Sequence, residues 1–179
     1  VYMVAVGGDG TINEVIDGAV LRSDVAFGFI PAGSGNDLTK GLGLSASTRK
    51  SIRRALSDGR IEKLDYGVLS CGEGGEGCIR RFTVSSGMGF DAAVCHSLIC
   101  CREKGNRGIM RLGALSYLLT GIKEFISTKP SKGYIILDDS RKVEFGHILF
   151  ISAHIYPFEG GGFKFAPQAD PKDGHLSVC

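Results

Sequence analysis

Residues 4–14 read Val-Ala-Val-Gly-Gly-Asp-Gly-Thr-Ile-Asn-Glu, and this stretch decides the fold. The short apolar run that ends at Val6 predicts a buried strand. Glycines then allow a sharp turn, and a helical pattern follows. The apolar residues of that pattern lie on one face: Ile12, Val15, Ile16, Ala19 and Val20. A strand, a glycine turn and a helix N-terminus are typical of phosphate binding, because free N–H groups and the helix dipole both face the anion.

A second loop of the same kind follows the next apolar run, Val25 to Ile30. Residues 31–38 are Pro-Ala-Gly-Ser-Gly-Asn-Asp-Leu, whose small side chains leave the main chain accessible. Either Asn36 or Asp37 is suited to cap the helix that would follow. Since consecutive parallel strands end at the same edge of an α/β sheet, we predict that the two loops lie there together.

The common phosphate and nucleophile motifs do not fit either loop. A Walker A loop needs Gly-x4-Gly-Lys-Ser/Thr, and no lysine stands in that place. The dinucleotide fingerprint Gly-x-Gly-x-x-Gly is also absent from both loops. A nucleophile elbow needs a glycine two residues before the serine, whereas Ala32 precedes Ser34. The sequence therefore disfavours a serine hydrolase.

The paired loops resemble a known family. Residues 8–14 are similar to the nucleotide-binding signature of the superfamily of diacylglycerol kinases, sphingosine kinases and NAD kinases. Residues 31–37 resemble the lipid-kinase branch, as do residues 87–92 and 166–174. Over essentially its whole length the chain is similar to the soluble bacterial diacylglycerol kinases and lipid kinases. The resemblance implies a cytoplasmic enzyme, peripheral to the membrane, that transfers the γ-phosphoryl group of ATP to diacylglycerol and gives phosphatidic acid.

The resemblance implies that both loops bind ATP. The expected ATP-binding residues are Gly8, Asp9, Gly10, Thr11, Ile12, Asn13, Glu14, Gly33, Ser34, Asn36 and Asp37. Asp9 is also the candidate catalytic residue. Because a carboxylate repels phosphate, Asp9 would contact Mg²⁺, accept a hydroxyl proton, or orient the loop through backbone N–H groups. A structural turn aspartate is the alternative.

A metal site and a lipid contact are the other candidates. Residues 169–175, Ala-Asp-Pro-Lys-Asp-Gly-His, form an oxygen-rich loop that suits a hard cation, although an Asp-Gly turn explains the same pattern. The resemblance implies a structural Mg²⁺ at Asp170 and Asp173, with His175 contributing through its backbone. It also puts Asp91 near the lipid substrate, and helix capping is an equally good account of that residue.

We predict two lobes, both incomplete. Residues 1–60 would form an α/β ATP-binding lobe. Residues 61–179 would form a mainly β lobe with a helical insertion, which carries the lipid side and the structural metal. The predicted elements there are strands at 64–69 and 81–85, helices at 90–101 and 109–127, a hairpin of 134–137 with 142–145, and a strand at 148–155. The chain starts inside one strand and stops inside another apolar segment, so the resemblance predicts an internal piece of a longer protein whose acidic general base lies beyond Cys179.

Composition argues against several other classes of protein. The chain has 179 residues, 27 glycines and a net charge of +2, which gives no strong argument for nucleic acid. No apolar stretch is long enough to predict a membrane span. The six cysteines lack Cys-x2-Cys spacing, which disfavours structural zinc. Cys71 and Cys78 flank a glycine-rich turn and could form a disulfide, but a reducing cytoplasm favours free thiols.

Three functional alternatives stay open. One is an NAD kinase, which shares the first loop but not the lipid-type second loop. Another is a sphingoid-base kinase. The third is a non-catalytic nucleotide- or lipid-binding module. The sequence does not identify the lipid or the oligomeric state, and a homodimer is one option.

Overall fold

A mixed α/β structure is present, as the sequence predicts. The computed structural model describes residues 1–19, 21–22, 24–44, 47–56, 61–72, 77–103 and 114–179. The chain divides into two units according to its internal contacts. The first comprises Val1–Ser86 and Ala153–Cys179, and the second comprises Gly87–Ser152.

The first unit begins with two parallel strands, β1 (Tyr2–Gly7) and β2 (Ala26–Pro31), which form a sheet. Their register runs from Tyr2 opposite Ala26 to Gly7 opposite Pro31. Helix α1 (Asp9–Ala19) follows β1 directly, which confirms the predicted strand, glycine turn and helix. The prediction that this strand is buried is wrong for most of its length, because Val6 is 61% exposed and only Ala5 is buried. The next elements of this unit are α2 (Asp37–Gly41), α3 (Thr48–Leu56), β3 (Gly67–Cys71) and β4 (Cys78–Phe82).

The core of the first unit lies beneath α1. Ile12 is 1% exposed, and Val15 and Ile16 pack beside it on the predicted apolar face. Val20, the last residue predicted on that face, lies outside the described residues. The buried members of the core are Ala5, Ile12, Leu38, Phe82, Ile155 and Tyr156. Residues near both ends of the chain therefore share one core.

The predicted hairpin around the glycine-rich segment is confirmed with shifted bounds. Strands β3 and β4 pair antiparallel, from Gly67 opposite Phe82 to Cys71 opposite Cys78. The predicted first strand began earlier, but residues 61–66 are not in a strand. In this segment the Asp65 N–H group donates to the Pro171 carbonyl at 2.8 Å, outside the hairpin.

Over its described residues, the second unit contains two helices and a hairpin. The chain enters it within β5 (Ser85–Gly89) and leaves it within β8 (Phe150–His154). Between them lie α4 (Phe90–Glu103), α5 (Ala114–Ser127), β6 (Ser131–Leu137) and β7 (Arg141–Ile148). Both predicted helices are present, and residues 109–113 of the second prediction lie outside the described residues.

The predicted hairpin of β6 and β7 is present, and a tight turn joins its strands. Leu137 is opposite Arg141, and the Ser140 N–H group donates to the Leu137 carbonyl at 3.1 Å. Asp138 and Asp139 have φ values of 49° and 52°, a conformation that aspartate tolerates and that a primed hairpin turn requires.

Helix α5 presents part of its apolar stripe to solvent. Leu119, Ile122 and Ile126 are all at least half exposed. Helix α4 contacts α5 through an edge-on pair of rings, Phe90 and Phe125, with centroids 6.0 Å apart. These three apolar side chains are therefore not buried.

Three short strands complete the first unit. β9 (Phe158–Glu159) and β10 (Phe163–Lys164) form a small antiparallel hairpin. β11 (Ser177–Val178) pairs antiparallel with β8, with Ser177 opposite His154. Strand β8 is central in a sheet of order β11, β8, β5.

The units do not divide at residue 60, where the two predicted lobes meet. Strand β4 stays with the first unit because it packs on α1. The Asn13 and Asp17 side chains of α1 accept hydrogen bonds from the backbone of Thr83 and Arg81. The assignment of one lobe to ATP and the other to lipid stays a prediction.

Candidate phosphate-binding site

Both predicted loops lie at the carboxyl ends of the parallel strands. Gly8 is the single residue between β1 and α1, and the helix begins with a bond from the Ile12 N–H group to the Gly8 carbonyl at 3.2 Å. The second loop leaves β2 beside it, and the Ala32 N–H group donates to the Gly7 carbonyl at 2.7 Å. The predicted proximity of the loops is confirmed.

The loops touch backbone to backbone, which explains their glycines. A Cβ atom at Gly8 would lie 3.1 Å from the Gly33 Cα atom. A Cβ atom at Gly33 would overlap the Gly8 Cα atom outright. A Cβ atom at Gly35 would lie 3.2 Å from the Asp9 carboxylate. Only glycine permits this approach, since any side chain here would push the loops apart.

The Asp9 carboxylate joins the two loops. It accepts hydrogen bonds from the Asp37 N–H group at 3.0 Å and the Leu38 N–H group at 3.1 Å. These N–H groups belong to the first turn of α2, where helix donors otherwise lack partners. Of the three roles considered for Asp9, this geometry favours orienting a loop through backbone N–H groups.

The prediction that Asn36 or Asp37 caps α2 is wrong. Asn36 occupies the cap position in a left-handed conformation, with φ 53°, and its side chain makes no cap hydrogen bond. Its amide instead closes the loop, because the oxygen accepts from the Gly33 N–H group at 3.0 Å and the NH₂ group donates to the Gly33 carbonyl at 2.7 Å. Asp9 supplies the cap from the first loop.

A third glycine loop meets the second. Asp37 is buried, and its carboxylate accepts from the Gly161 N–H group at 2.8 Å and from Lys40 Nζ at 3.2 Å. Gly161 lies in the turn between β9 and β10, where residues 160–162 are all glycine with φ values of 65°, 88° and 115°. This loop is absent from the predicted site, although three consecutive glycines are a visible signal in the sequence.

The other predicted ATP-binding residues of α1 differ in accessibility. Thr11 and Glu14 are exposed, and a Cβ atom at Gly10 would meet nothing within 4 Å. The Ile12 side chain lies in the core. The Asn13 amide donates to the Arg81 carbonyl at 3.1 Å and accepts from the Thr83 N–H group at 3.0 Å. An ATP contact of these residues stays a prediction.

Asp17 anchors the far end of α1 to β4. It pairs with Arg80 at 3.0 Å and accepts from the Arg81 N–H group at 2.9 Å. The Arg80 guanidinium is the main reason that the pKa of Asp17 lies below its ordinary value, and the Arg81 backbone bond acts in the same direction. In turn the Asp17 carboxylate raises the pKa of Arg80. This attachment fixes the helix that carries the first loop.

Ser34 is exposed on the second loop, and its predicted ATP contact also stays a prediction. Asp91 belongs to the second unit, in the first turn of α4. Its carboxylate lies against the Gly87 backbone, at a point where a side chain on residue 87 would collide with it. The predicted lipid contact of Asp91 stays a prediction.

The carboxylates of the predicted metal residues accept hydrogen bonds within their own loop. The Asp170 carboxylate accepts from the Lys172 N–H group at 3.0 Å, and the Asp173 carboxylate accepts from the His175 N–H group at 2.8 Å. These are turn contacts within the loop. Over the described residues, no three His, Cys, Asp or Glu side chains are grouped to hold a metal ion. The predicted Mg²⁺ site, which uses two carboxylates and the His175 backbone, stays a prediction.

One family model matches the first part of the chain. Residues 1–69 match the diacylglycerol kinase catalytic domain. This is the family that the two loops resemble, so the recognition from the sequence is confirmed. The match includes both glycine loops and ends inside β3.

Full-length relatives carry related names. The chain is 26% identical over 176 residues to a diacylglycerol kinase of Mycobacterium tuberculosis, covering 98% of this chain and 53% of the relative. It is 30% identical over 179 residues to a protein of Chromohalobacter salexigens named a probable YegS-like lipid kinase, covering 98% of this chain and 52% of that protein. The chain thus spans about half the length of the curated relatives it matches.

A solved structure has a similar fold. The crystal structure of a diacylglycerol kinase from Bacillus anthracis matches with a TM-score of 0.67 at 20% identity, over 99% of this chain and 52% of that one. None of the helices in the described ranges is both long and apolar enough to span a membrane.

Proposed function

We propose that this chain contains the ATP-binding part of a lipid kinase. The proposal rests on one observation: two glycine loops touch at the carboxyl edge of parallel strands, and Asp9 bonds them together. The match of residues 1–69 to the diacylglycerol kinase catalytic domain supports the same activity.

The first loop supplies the phosphate contacts. The N–H groups in the first turn of α1 have no acceptor within the helix and suit an anion, and a Cβ atom at Gly10 would meet nothing within 4 Å. Phosphoryl transfer depends mainly on positioning the reacting groups and on stabilising the charge of the phosphates. A rigid pair of loops meets the first of these requirements. Magnesium would enter as the counter-ion of ATP, and we assign no step to the Asp170 loop.

Asp9 acts as a positioning residue in this proposal. Both of its oxygens already accept N–H groups of α2, which leaves the second loop dependent on its charge. Removing a hydrogen bond to a charged group typically costs about 1.5–3 kcal/mol. Loss of Asp9 would therefore release Ser34 and Asn36 from the ATP site together with the loop.

The acceptor in the proposal is the hydroxyl of diacylglycerol at a membrane surface, with phosphatidic acid as product. The names of the relatives support a lipid acceptor. An NAD kinase shares the first loop, and a sphingoid-base kinase shares both. These acceptors are distinguished by assay, since the described residues do not define an acyl-chain site.

The test compares three forms of the full-length natural protein: wild type, Asp9→Asn and Asp24→Asn. Each is assayed with ATP, Mg²⁺ and mixed micelles that contain diacylglycerol. Asp24 is a matched control, because it is an exposed aspartate of the same unit that pairs with Arg22. Wild type and Asp24→Asn should form phosphatidic acid equally well.

The Asp9→Asn protein should show a KM for ATP raised by about 10-fold or more, together with a lower kcat. A lower kcat at unchanged KM for ATP would instead identify Asp9 as a proton acceptor. If the wild type binds ATP but phosphorylates neither diacylglycerol, sphingoid bases nor NAD, the kinase proposal is wrong and a non-catalytic nucleotide-binding role remains.

A further inference from the structure

The β3–β4 hairpin sets two cysteines directly opposite each other. Cys71 is the last residue of β3 and Cys78 the first of β4, and they form the final pair of the antiparallel register. Both are exposed and both are free thiols. The hairpin lies within the first unit.

Opposite residues in an antiparallel pair meet the spacing that a disulfide needs. Their Cα atoms are about 4.5 or 5.5 Å apart, depending on the hydrogen-bonding pattern. A disulfide accepts Cα separations of about 4.4–6.8 Å. Gly77 helps the strands approach here, because any side chain at residue 77 would collide with the Cys71 carbonyl oxygen. The pair can therefore be joined without moving the strands apart.

The two thiols differ in their surroundings. Arg80 is two residues beyond Cys78 on β4, so the two side chains lie on the same face of the strand, and the Arg80 guanidinium pairs with the Asp17 carboxylate at 3.0 Å. A neighbouring guanidinium is one of the features that make a cysteine reactive. Since Asp17 holds Arg80 in place from α1, Cys78 has a fixed cation beside it.

We propose that Cys71 and Cys78 are a site of reversible oxidative modification, which forms a cross-strand disulfide by exchange with a small disulfide such as glutathione disulfide. This proposal is independent of the proposed kinase activity. It assigns Cys78 as the attacking thiol and Cys71 as the resolving thiol.

The exchange balances in two steps. The Cys78 sulfur attacks one sulfur of the small disulfide, which breaks that S–S bond, forms a mixed disulfide and releases one small thiol. The Cys71 sulfur then attacks the Cys78 sulfur, forms the Cys71–Cys78 bond and releases the second small thiol. The protein loses two hydrogens, and the small disulfide is reduced by two electrons to two thiols.

The experiment incubates the native full-length protein with glutathione disulfide, followed by alkylation, mass spectrometry and peptide mapping. Wild type should lose two hydrogens and yield one linked peptide pair joining Cys71 to Cys78. A reducing agent should restore both thiols. Separate glutathione adducts on the two cysteines with no link between them would overturn the proposal, as would a link to another cysteine.

Single variants test the order of the steps. Cys71→Ser should stop at a stable glutathione adduct on Cys78. Cys95→Ser is the matched control, since it removes an exposed cysteine from the other unit and should leave the linkage intact. A Cys71→Ser protein that gains no adduct would contradict Cys78 as the attacking thiol.

Arg80→Gln should slow formation of that adduct several-fold, and Arg80→Lys should restore part of the rate. Arg22→Gln is the matched control, because Arg22 is another exposed, aspartate-paired arginine of the first unit. Equal rates in Arg80→Gln and wild type would overturn the assignment of Cys78 by its cationic neighbour.

Discussion

Substituting Gly33 by alanine tests the contact on which the candidate site depends. The new Cβ atom would overlap the Gly8 Cα atom and lie 3.3 Å from the Gly8 nitrogen. Carbon atoms normally pack at about 3.5–4.0 Å, so the two loops must separate by about 1 Å. The Cβ atom would also lie 3.1 Å from Asn36 Oδ1 and so crowd the 3.0 Å hydrogen bond that this oxygen accepts from the Gly33 N–H group.

The expected cost combines two effects. Forcing an extra carbon into a packed site costs about 1–3 kcal/mol. Losing one hydrogen bond costs about 1 kcal/mol. Gly33→Ala should therefore lower the free energy of unfolding by about 2–4 kcal/mol, measured by urea titration followed by circular dichroism.

Gly10→Ala is the matched control for stability. A Cβ atom at Gly10 meets nothing within 4 Å, and the residue lies in α1. Alanine is favoured over glycine in a helix by up to about 1 kcal/mol, so this variant should be as stable as wild type or more stable. If Gly33→Ala and Gly10→Ala unfold at the same urea concentration, the loops do not touch in solution and the reasoning fails.

Two predictions concern pH. Because the pKa of Asp17 is lowered from 3.8, its stabilising effect is full above that value and is lost as pH falls below it. The stability difference between wild type and Asp17→Asn should therefore shrink in acid, and a constant difference in urea titrations down to about pH 2 would contradict this. Burial, followed by the charge of Asp65, raises the pKa of Tyr156 above 10.0, so its contribution is full below pH 10 and is lost as pH rises through the folded value. Wild type should thus lose stability above pH 10 relative to Tyr156→Phe, and phenolate absorbance from Tyr156 should appear only with unfolding.

Local features of the site could be predicted from the sequence. The apolar run before Gly7 and the helical period after Gly8 are patterns of neighbouring residues, and they specify β1, the turn and α1. The Asp-Asp pair before Ser140 similarly specifies the turn between β6 and β7. In each case the residues that determine the structure lie within a few positions of one another.

Long-range partners could not be predicted in this way. Asp9 bonds to Leu38, 29 residues away, and Asp37 bonds to Gly161, 124 residues away. Composition and periodicity carry no information on such pairings, so the sequence predicts a cap from Asn36 or Asp37, whereas Asp9 supplies it. The attachment of β4 to α1 is also long-range, and for that reason the predicted boundary at residue 60 differs from the observed division into units.

The bond between Asp37 and Gly161 has a consequence for how the protein is made. The ribosome synthesises the first two glycine loops long before the third. During most of the synthesis of the chain, the Asp37 carboxylate therefore lacks the Gly161 N–H group as a hydrogen-bond donor. Contacts between residues so distant in sequence form slowly. We therefore expect the nascent site to stay open until residues 160–162 emerge, and a shortened chain that ends at residue 69 to leave Asp37 without its glycine partner.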